Sequence, residues 1–288
     1  MYIVTDEPHN IEQDGIAVHC MSSGPVPPNI KRRMAAERSG AGVVALLDDD
    51  AYPTERWLEA AMAHFADDEV IAVGGPGVTP ADDSPSQRAS GAIYASRLVS
   101  ADYVYRYLPQ HARDVDDYPS CNLLVRRKPF LRHVASCLRY WPGEDTKLCF
   151  LLTKVEGKRI VYEPAAVVFH HRRALFWGHF RQVWNYAVHR GFFAKRYPAT
   201  SLRPQYFVPS TFVVGNVLAA GTLAFLPALR GAVGATAALY GGLLAWSALG
   251  MRMEPPASRA LVAIGIYLTH VTYGVGFLVG LCRAELDH

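Results

Sequence analysis

The chain has 288 residues, half of them hydrophobic, and a formal net charge of +3, so it can bury one large domain, or one domain together with a membrane-embedded part. Its five cysteines are far apart and lack CxxC spacing: Cys20, Cys121, Cys137, Cys149 and Cys282. This pattern argues against a disulfide framework or a zinc site and indicates reduced thiols in a cytoplasmic setting.

The N-terminal part contains a predicted strand and a predicted helix. Residues 2–5 are a β-branched and aromatic run that ends in a polar loop at Asp6. A helix predicted over residues 30–40 carries Arg32 and Arg33. The planar guanidinium of either arginine matches phosphate oxygens, and the charged face of a solvated helix explains either one equally well.

An apolar run that ends in three carboxylates follows, with the sequence VVALLDDDAYP over residues 43–53. It predicts a buried strand of a mostly parallel sheet that opens into a site at its C-terminal end. In such a turn Asp48 and Asp50 can point to the same side, and hard oxygen ligands suit Mg²⁺ or Mn²⁺. A solvated acidic turn, in which Asp49 is one more exposed acid before a helix, is the alternative.

Three polar positions mark the second half of the predicted domain. PSCNLLVRRKPF places Asn122 before an apolar strand, and WPGEDTKLCF places Glu144 and Asp145 at the start of a helix that follows Trp141. A buried carboxylate at this point can act as a base, or both acids can simply stabilise the helix dipole. AAVVFH then ends in His170, which is either structural or a metal ligand beside Asp50.

Taken in this order, the segments resemble family 2 glycosyltransferases over residues 2–203. The resemblance implies an α/β fold for residues 1–172, with the mostly parallel, helix-flanked sheet of the GT-A fold. It also implies a metal-dependent, inverting sugar transfer from a UDP- or GDP-sugar, with Mg²⁺ or Mn²⁺ as the cofactor. The acceptor implied is lipid-linked or a glycan.

The resemblance also implies a role for each candidate residue. Asp48, Asp50 and His170 would bind the metal. The donor would contact Asp6, Arg32, Asp48 and Asp49, and the acceptor would contact Asn122 and Trp141. Asp145 would accept the acceptor's proton, with Glu144 beside it as the second catalytic carboxylate.

One departure from the family pattern supports a different interpretation. Family members begin with one more strand and helix, which carry further base and ribose contacts, and neither is found before Tyr2. The alternative function is therefore a non-catalytic membrane scaffold with a degenerate or truncated glycosyltransferase domain. A nucleotidyltransferase is disfavoured, because the Glu144 and Asp145 segment would then lack a purpose.

A basic, aromatic segment follows, and residues 164–253 contain no acidic residue. Residues 173–206 predict a helix and linker at the level of the lipid headgroups, since positive charge before apolar runs is typical of the cytoplasmic side of a membrane. Nucleic-acid binding is disfavoured, because no aromatic-interleaved strand motif or groove-binding helix accompanies the charge. The QxxRW signature of processive polysaccharide synthases is absent, which favours the addition of a single sugar.

The last part of the chain predicts a transmembrane region over residues 207–288. Three apolar runs, 207–229, 231–250 and 260–282, are each long enough to cross about 30 Å of hydrocarbon. A buried helical hairpin in a soluble core is the alternative. The expected localisation is a multi-pass protein of the cytoplasmic membrane, with the catalytic domain in the cytoplasm.

Overall fold

The architecture comes from a computed structural model, which describes residues 1–11, 15–251 and 257–286. Its strands are short: β1 Tyr2–Thr5, β2 His19–Ser22, β3 Val43–Leu47, β4 Ala51–Pro53, β5 Val70–Gly74, β6 Gly77–Val78, β7 Arg113–Val115, β8 Asn122–Arg126, β9 Arg159–Tyr162 and β10 Val168–His170. Its helices are α1 Pro28–Arg38, α2 Trp57–Ala63, α3 Pro85–Ala95, α4 Arg97–Ser100, α5 Arg127–Cys137, α6 Glu144–Phe150, α7 Trp177–Arg196, α8 Pro198–Ser201, α9 Pro204–Phe225, α10 Arg230–Leu249 and α11 Ala257–Cys282.

The largest sheet has five strands in the order β3-β8-β5-β9-β7. Only the β5–β9 pairing is parallel, and the other three are antiparallel. The expectation of a mostly parallel sheet is therefore corrected to a mixed α/β fold. The physical reason is that β8 lies between β3 and β5 and runs opposite to both, a direction that its apolar sequence does not encode.

Two smaller sheets complete the strand arrangement. β1 and β2 form a parallel pair, with Ile3 opposite Cys20. β10 lies between β4 and β6, antiparallel to the first and parallel to the second. The acidic turn between β3 and β4 therefore joins the largest sheet to the three-stranded one.

Helices cover both faces of the five-stranded sheet. On one face Phe130 of α5 and Leu148 of α6 share a buried core with Leu123 of β8. On the other face Trp57 of α2 packs with Leu124, the next residue of β8. Successive side chains of β8 thus point into two separate cores, as expected for a strand buried on both faces.

The three apolar runs form helices close to their predicted positions, and α9, α10 and α11 are each long and apolar enough to cross a membrane. The basic, aromatic segment is also helical, as α7. This helix is packed against protein, however, because α11 lies along it. A Cβ atom on Gly191 of α7 would lie 2.1 Å from the carbonyl oxygen of Phe277, so the two backbones are in direct contact.

Candidate functional site

Three side chains that can ligate a metal meet where the largest sheet joins the three-stranded one. Asp48 follows β3, Asp50 precedes β4, and His170 ends β10. Antiparallel pairing of β4 and β10 sets Ala51 opposite His170, so Asp50 and His170 are neighbours across the ladder. The amide N–H of His171 also donates to the carbonyl oxygen of Asp50, at 2.9 Å, which fixes the acidic turn against β10.

The geometry of this group fits a divalent cation. One ligand atom from each of Asp48, Asp50 and His170 lies within 4.8 Å of the others. The Nε2 atom of His170 is 3.1 Å from Oδ1 of Asp50. Two carboxylates suit Mg²⁺ or Mn²⁺, and the imidazole adds a preference for a transition metal such as Mn²⁺.

Burial and hydrogen bonding act in opposite directions on the pKa values of His170 and Asp50. Burial by itself would lower the pKa of His170, but hydrogen bonds with Asp50 and Cys121 outweigh it and raise the pKa to about 9. Burial opposes ionisation of Asp50 as well, yet His170 and then Arg173 lower the pKa of that carboxyl. A cation held by Asp48, Asp50 and Nε2 of His170 would displace the proton that lies between Nε2 and Asp50.

Arg32 connects the acidic turn to the start of α6. Its guanidinium donates to Oδ1 of Asp48 at 2.5 Å and to Oε1 of Glu144 at 2.9 Å. The Arg32 side chain is only 14% exposed, and Arg32, Glu144 and Asp145 line one small cavity. The guanidinium of Arg32 thus bridges the metal-ligating turn to the pair of acids on α6.

Asp145 has the properties of a proton acceptor. Its carboxylate accepts the amide N–H of Thr146 at 2.7 Å and that of Ser120 at 3.4 Å. Burial, followed by the negative charges of Glu144 and Asp117, raises the pKa of Asp145 to about 7. A carboxyl with this pKa exchanges protons near neutral pH, as a general base must.

Asp117 is buried beside Asp145 and was not found by sequence reasoning. Its Oδ2 accepts from Arg190 at 2.8 Å and from Arg106 at 3.3 Å, and its Oδ1 accepts from the hydroxyl of Thr146 at 3.0 Å. Burial opposes its charge, but Arg190 and Arg106 outweigh burial and lower the pKa of Asp117 to about 2. This ion cluster joins α7, which carries Arg190, to the first turn of α6.

Three further candidates have different environments. Asp6 is exposed and pairs with Lys31 of α1 at 2.6 Å, one residue before Arg32. Asp49 is exposed and lies outside the group of three ligands. Trp141 is 52% exposed, just before α6. The roles of Asp6 and Asp49 in donor binding, and of Trp141 in acceptor binding, stay predictions.

The acceptor-binding role expected for Asn122 is corrected. Asn122 has no exposed surface. Its amide donates to the carbonyl oxygens of Gly75 at 2.6 Å and Ala166 at 2.8 Å, and its Oδ1 accepts from the indole N–H of Trp57 at 2.8 Å. Its amide N–H groups and its carbonyl oxygen are bonded inside the protein, where Asn122 ties β8 to the loops that follow β5 and precede β10.

A scan of the sequence against protein-family models and a search of curated proteins find no match. The resemblance to family 2 glycosyltransferases therefore stays a prediction.

Proposed function

We propose that this protein is an inverting glycosyltransferase of the GT-A class that moves one sugar from a UDP- or GDP-sugar to a lipid-linked or glycan acceptor at the cytoplasmic face of a membrane. One observation carries the proposal. The metal-ligating group of Asp48, Asp50 and His170 is separated by one guanidinium, that of Arg32, from the pair Glu144 and Asp145, and the pKa of Asp145 is raised to about 7. Arg32 links the two parts through Asp48 and Glu144.

The reaction follows from these parts. An acceptor hydroxyl oxygen attacks the anomeric carbon of the donor sugar, and the bond between that carbon and the diphosphate oxygen breaks. Asp145 takes the hydroxyl proton as the new bond forms. A bound Mn²⁺ or Mg²⁺ supplies Lewis-acid stabilisation of the departing diphosphate.

Basic side chains near the acidic turn suit a diphosphate. Arg173 is 65% exposed and lies 3.7 Å from Asp50. Arg172 lies closer to the protein, with a hydrogen bond to Nδ1 of His170 at 3.1 Å. A diphosphate bound to the cation would therefore meet Arg173 at the open side of the site, and a guanidinium is well matched to its oxygens.

Washed membranes containing the full chain provide the test. They would be incubated with Mn²⁺ and a panel of UDP- and GDP-sugars, and release of UDP or GDP and transfer of labelled sugar to the lipid fraction would be measured. We expect at least one donor to be consumed by the wild type and not by Asp50→Ala or Asp145→Asn. Equal turnover by wild type and both variants would refute the proposed roles, and no turnover with any donor would favour the non-catalytic scaffold.

A further inference from the structure

The last helix, α11, differs from α9 and α10 in what surrounds it. All three have the length and apolarity of membrane spans, but 44% of the most apolar stretch of α11 is buried in protein, compared with 6% for α9 and for α10. The partners that bury it are α7, the first turns of α9, and the helices α3 and α4 of the domain that holds the candidate site.

The first half of α11 packs on α3. Val262 and Ile266 are fully buried in a cluster with Ala89 and Ile93. At Gly265 a Cβ atom would lie 2.3 Å from the side chain of Ile93, so α3 is in direct contact with this turn. The N-terminal end of α11 is therefore fixed to the catalytic domain.

Polar groups of the domain contact the middle of the helix. The Nε2 atom of His270 bonds to the carbonyl oxygen of Leu98 in α4 at 2.8 Å. The hydroxyl of Thr269 bonds to Nε2 of His179 in α7 at 3.0 Å. In a membrane span, Thr269 and His270 would face lipid or another span. Here both are hydrogen-bonded to α4 and α7 instead.

The second half of α11 lies against α7. A Cβ atom on Gly280 would be 2.0 Å from the carbonyl oxygen of Val188. Just beyond the helix, Lys195 donates to the carbonyl oxygen of Arg283 at 2.8 Å. Leu286 then joins a buried cluster with Tyr140, so the C-terminal end is also fixed to the catalytic domain.

These contacts extend along most of the helix. From Val262 to Gly280 the rise is about 27 Å, close to the thickness of about 30 Å of a bilayer's hydrocarbon. From Thr269 to Gly280 α7 runs beside α11 and exposes Arg181, while Lys195 lies beyond this stretch, at the level of Arg283. If α11 crossed the bilayer, α7 would be drawn in with it, and Arg181 near the centre would cost about 3 kcal/mol.

We propose that α11 does not cross the membrane, and that the C-terminal end of the chain stays on the same side as the catalytic domain. Contact with lipid acyl chains is instead made by the hairpin of α9 and α10. This assignment goes beyond the proposed function and does not depend on the reaction.

The hairpin has the surface expected of a lipid-embedded element. Its two arms meet at α11, where Phe212 and Tyr240 both lie against His270. Beyond this point its apolar side chains are exposed, including Val217, Leu218, Phe225 and Leu239. No charged residue lies between Phe212 and Arg230 or between Arg230 and Tyr240.

Paired topology reporters test the proposal in cells. The full chain would be fused to green fluorescent protein or to alkaline phosphatase, at the N-terminus in one pair and after His288 in the other. Green fluorescent protein fluoresces in the cytoplasm and the phosphatase is active outside it. We expect both termini to report the same side, and opposite sides would overturn the proposal.

Native cysteines give a second readout that needs no fusion. Cys282 is exposed at the end of α11, and Cys20 lies in the catalytic domain. A membrane-impermeant maleimide should label both from one face of sealed vesicles, with Cys282→Ser and Cys20→Ser identifying each signal. Labelling from opposite faces would contradict a shared side. The chain should also stay in membranes washed with alkaline carbonate, whereas release would mean that protein, rather than lipid, covers the hairpin.

Discussion

The Nε2 atom of His170 lies 3.1 Å from Oδ1 of Asp50, because β4 and β10 pair with Ala51 opposite His170. This register converts an acidic turn, which alone offers only oxygen ligands, into a group with an imidazole. It also makes the metal-ligating group depend on β10, a strand far from the turn in sequence.

Removal of His170 should weaken Mn²⁺ binding. A lost outer partner of a metal ligand typically costs 10–100-fold in affinity, so we expect His170→Ala to weaken Mn²⁺ binding at least about 100-fold. His171→Ala is the matched control, since His171 bonds to Asp83 and is not one of the three ligands. Calorimetric Mn²⁺ titration measures both. Wild-type affinity in His170→Ala would remove this histidine from the site.

Sugar transfer should depend on pH through Asp145. The pKa of Asp145 is raised to about 7, by burial first and then by Glu144 and Asp117, so the carboxylate required as a base is protonated at lower pH. We expect kcat/KM to rise about tenfold per pH unit up to pH 7 and then to level off. Asp145→Asn should reduce transfer by about 10²–10⁴-fold. Asp102→Asn, at an exposed ion pair with Arg113, should leave the profile unchanged.

Asp145→Asn should also make the fold more resistant to heat near neutral pH. The pKa of Asp145 is higher in the folded than in the unfolded chain, so ionisation in the folded state opposes folding. The gain over wild type should grow between about pH 4 and pH 7 and stay constant above pH 7. Thermal unfolding in detergent at several pH values measures it, and a gain that shrinks with rising pH would contradict the assigned pKa.

Loss of Arg32 should destabilise the fold where α1 meets the acidic turn and α6. Arg32→Met leaves Asp48 and Glu144 without their common cation, and we expect a loss in the free energy of unfolding on the order of 3 kcal/mol. Arg33 on the same helix pairs with Glu37 at an exposed site, so Arg33→Met should cost about 0.5 kcal/mol or less. Denaturant unfolding measures both losses. Equal losses in the two variants would show that the Arg32 bridge stabilises the fold no more than an exposed ion pair does.

The ionised carboxylate of Asp117 should stabilise the fold, and protonation at acidic pH should remove this contribution. Although burial opposes ionisation, Arg190 and Arg106 lower the pKa of Asp117 to about 2, so its contribution is complete above about pH 4 and is lost as the pH falls towards 2. Asp117→Asn should cost on the order of 3 kcal/mol at pH 7, because two buried arginines lose their partner. Asp116→Asn, at a more exposed pair with Arg203, should cost about 1 kcal/mol or less.

The contact between α7 and α11 should tolerate no side chain at Gly280. A Cβ atom there would lie 2.0 Å from the carbonyl oxygen of Val188, so Gly280→Ala must push the two helices apart. We expect a fall in thermal stability of several degrees. Gly221→Ala in α9 is the matched control, because nothing lies within 4 Å of its Cβ position. Equal stability of the two variants would contradict direct contact between the backbones of α7 and α11 at Gly280.

Local sequence patterns predicted the positions of the strands and helices at the site better than how these elements pair and pack. The strand ending in Asp48 and the helix beginning at Glu144 are where apolar periodicity indicated. The strand direction of β8 was not predictable, because an apolar run is the same in both directions. Asn122, the first residue of that strand, was expected from the family resemblance to contact the acceptor and instead lies inside the protein.

Long-range partners account for the rest of what was missed. Asp117 pairs with Arg190, and no local signal links two residues so far apart in the chain. Hydropathy located α11, yet it does not distinguish a helix covered by lipid from one covered by Ile93 and Val188. Length and apolarity therefore predict that a helix is able to span a membrane, while the elements packed around it determine whether lipid or protein covers it.

The cluster of Arg190, Asp117 and Thr146 has a mechanical consequence. Arg190 sits on the helix clamped to α11, and Thr146 directly follows Asp145. A displacement of α7 would therefore act on the first turn of α6, where Asp145 lies, through these hydrogen bonds. If Asp145 acts as the proposed base, the seating of the protein on the bilayer and the rate of sugar transfer are therefore coupled.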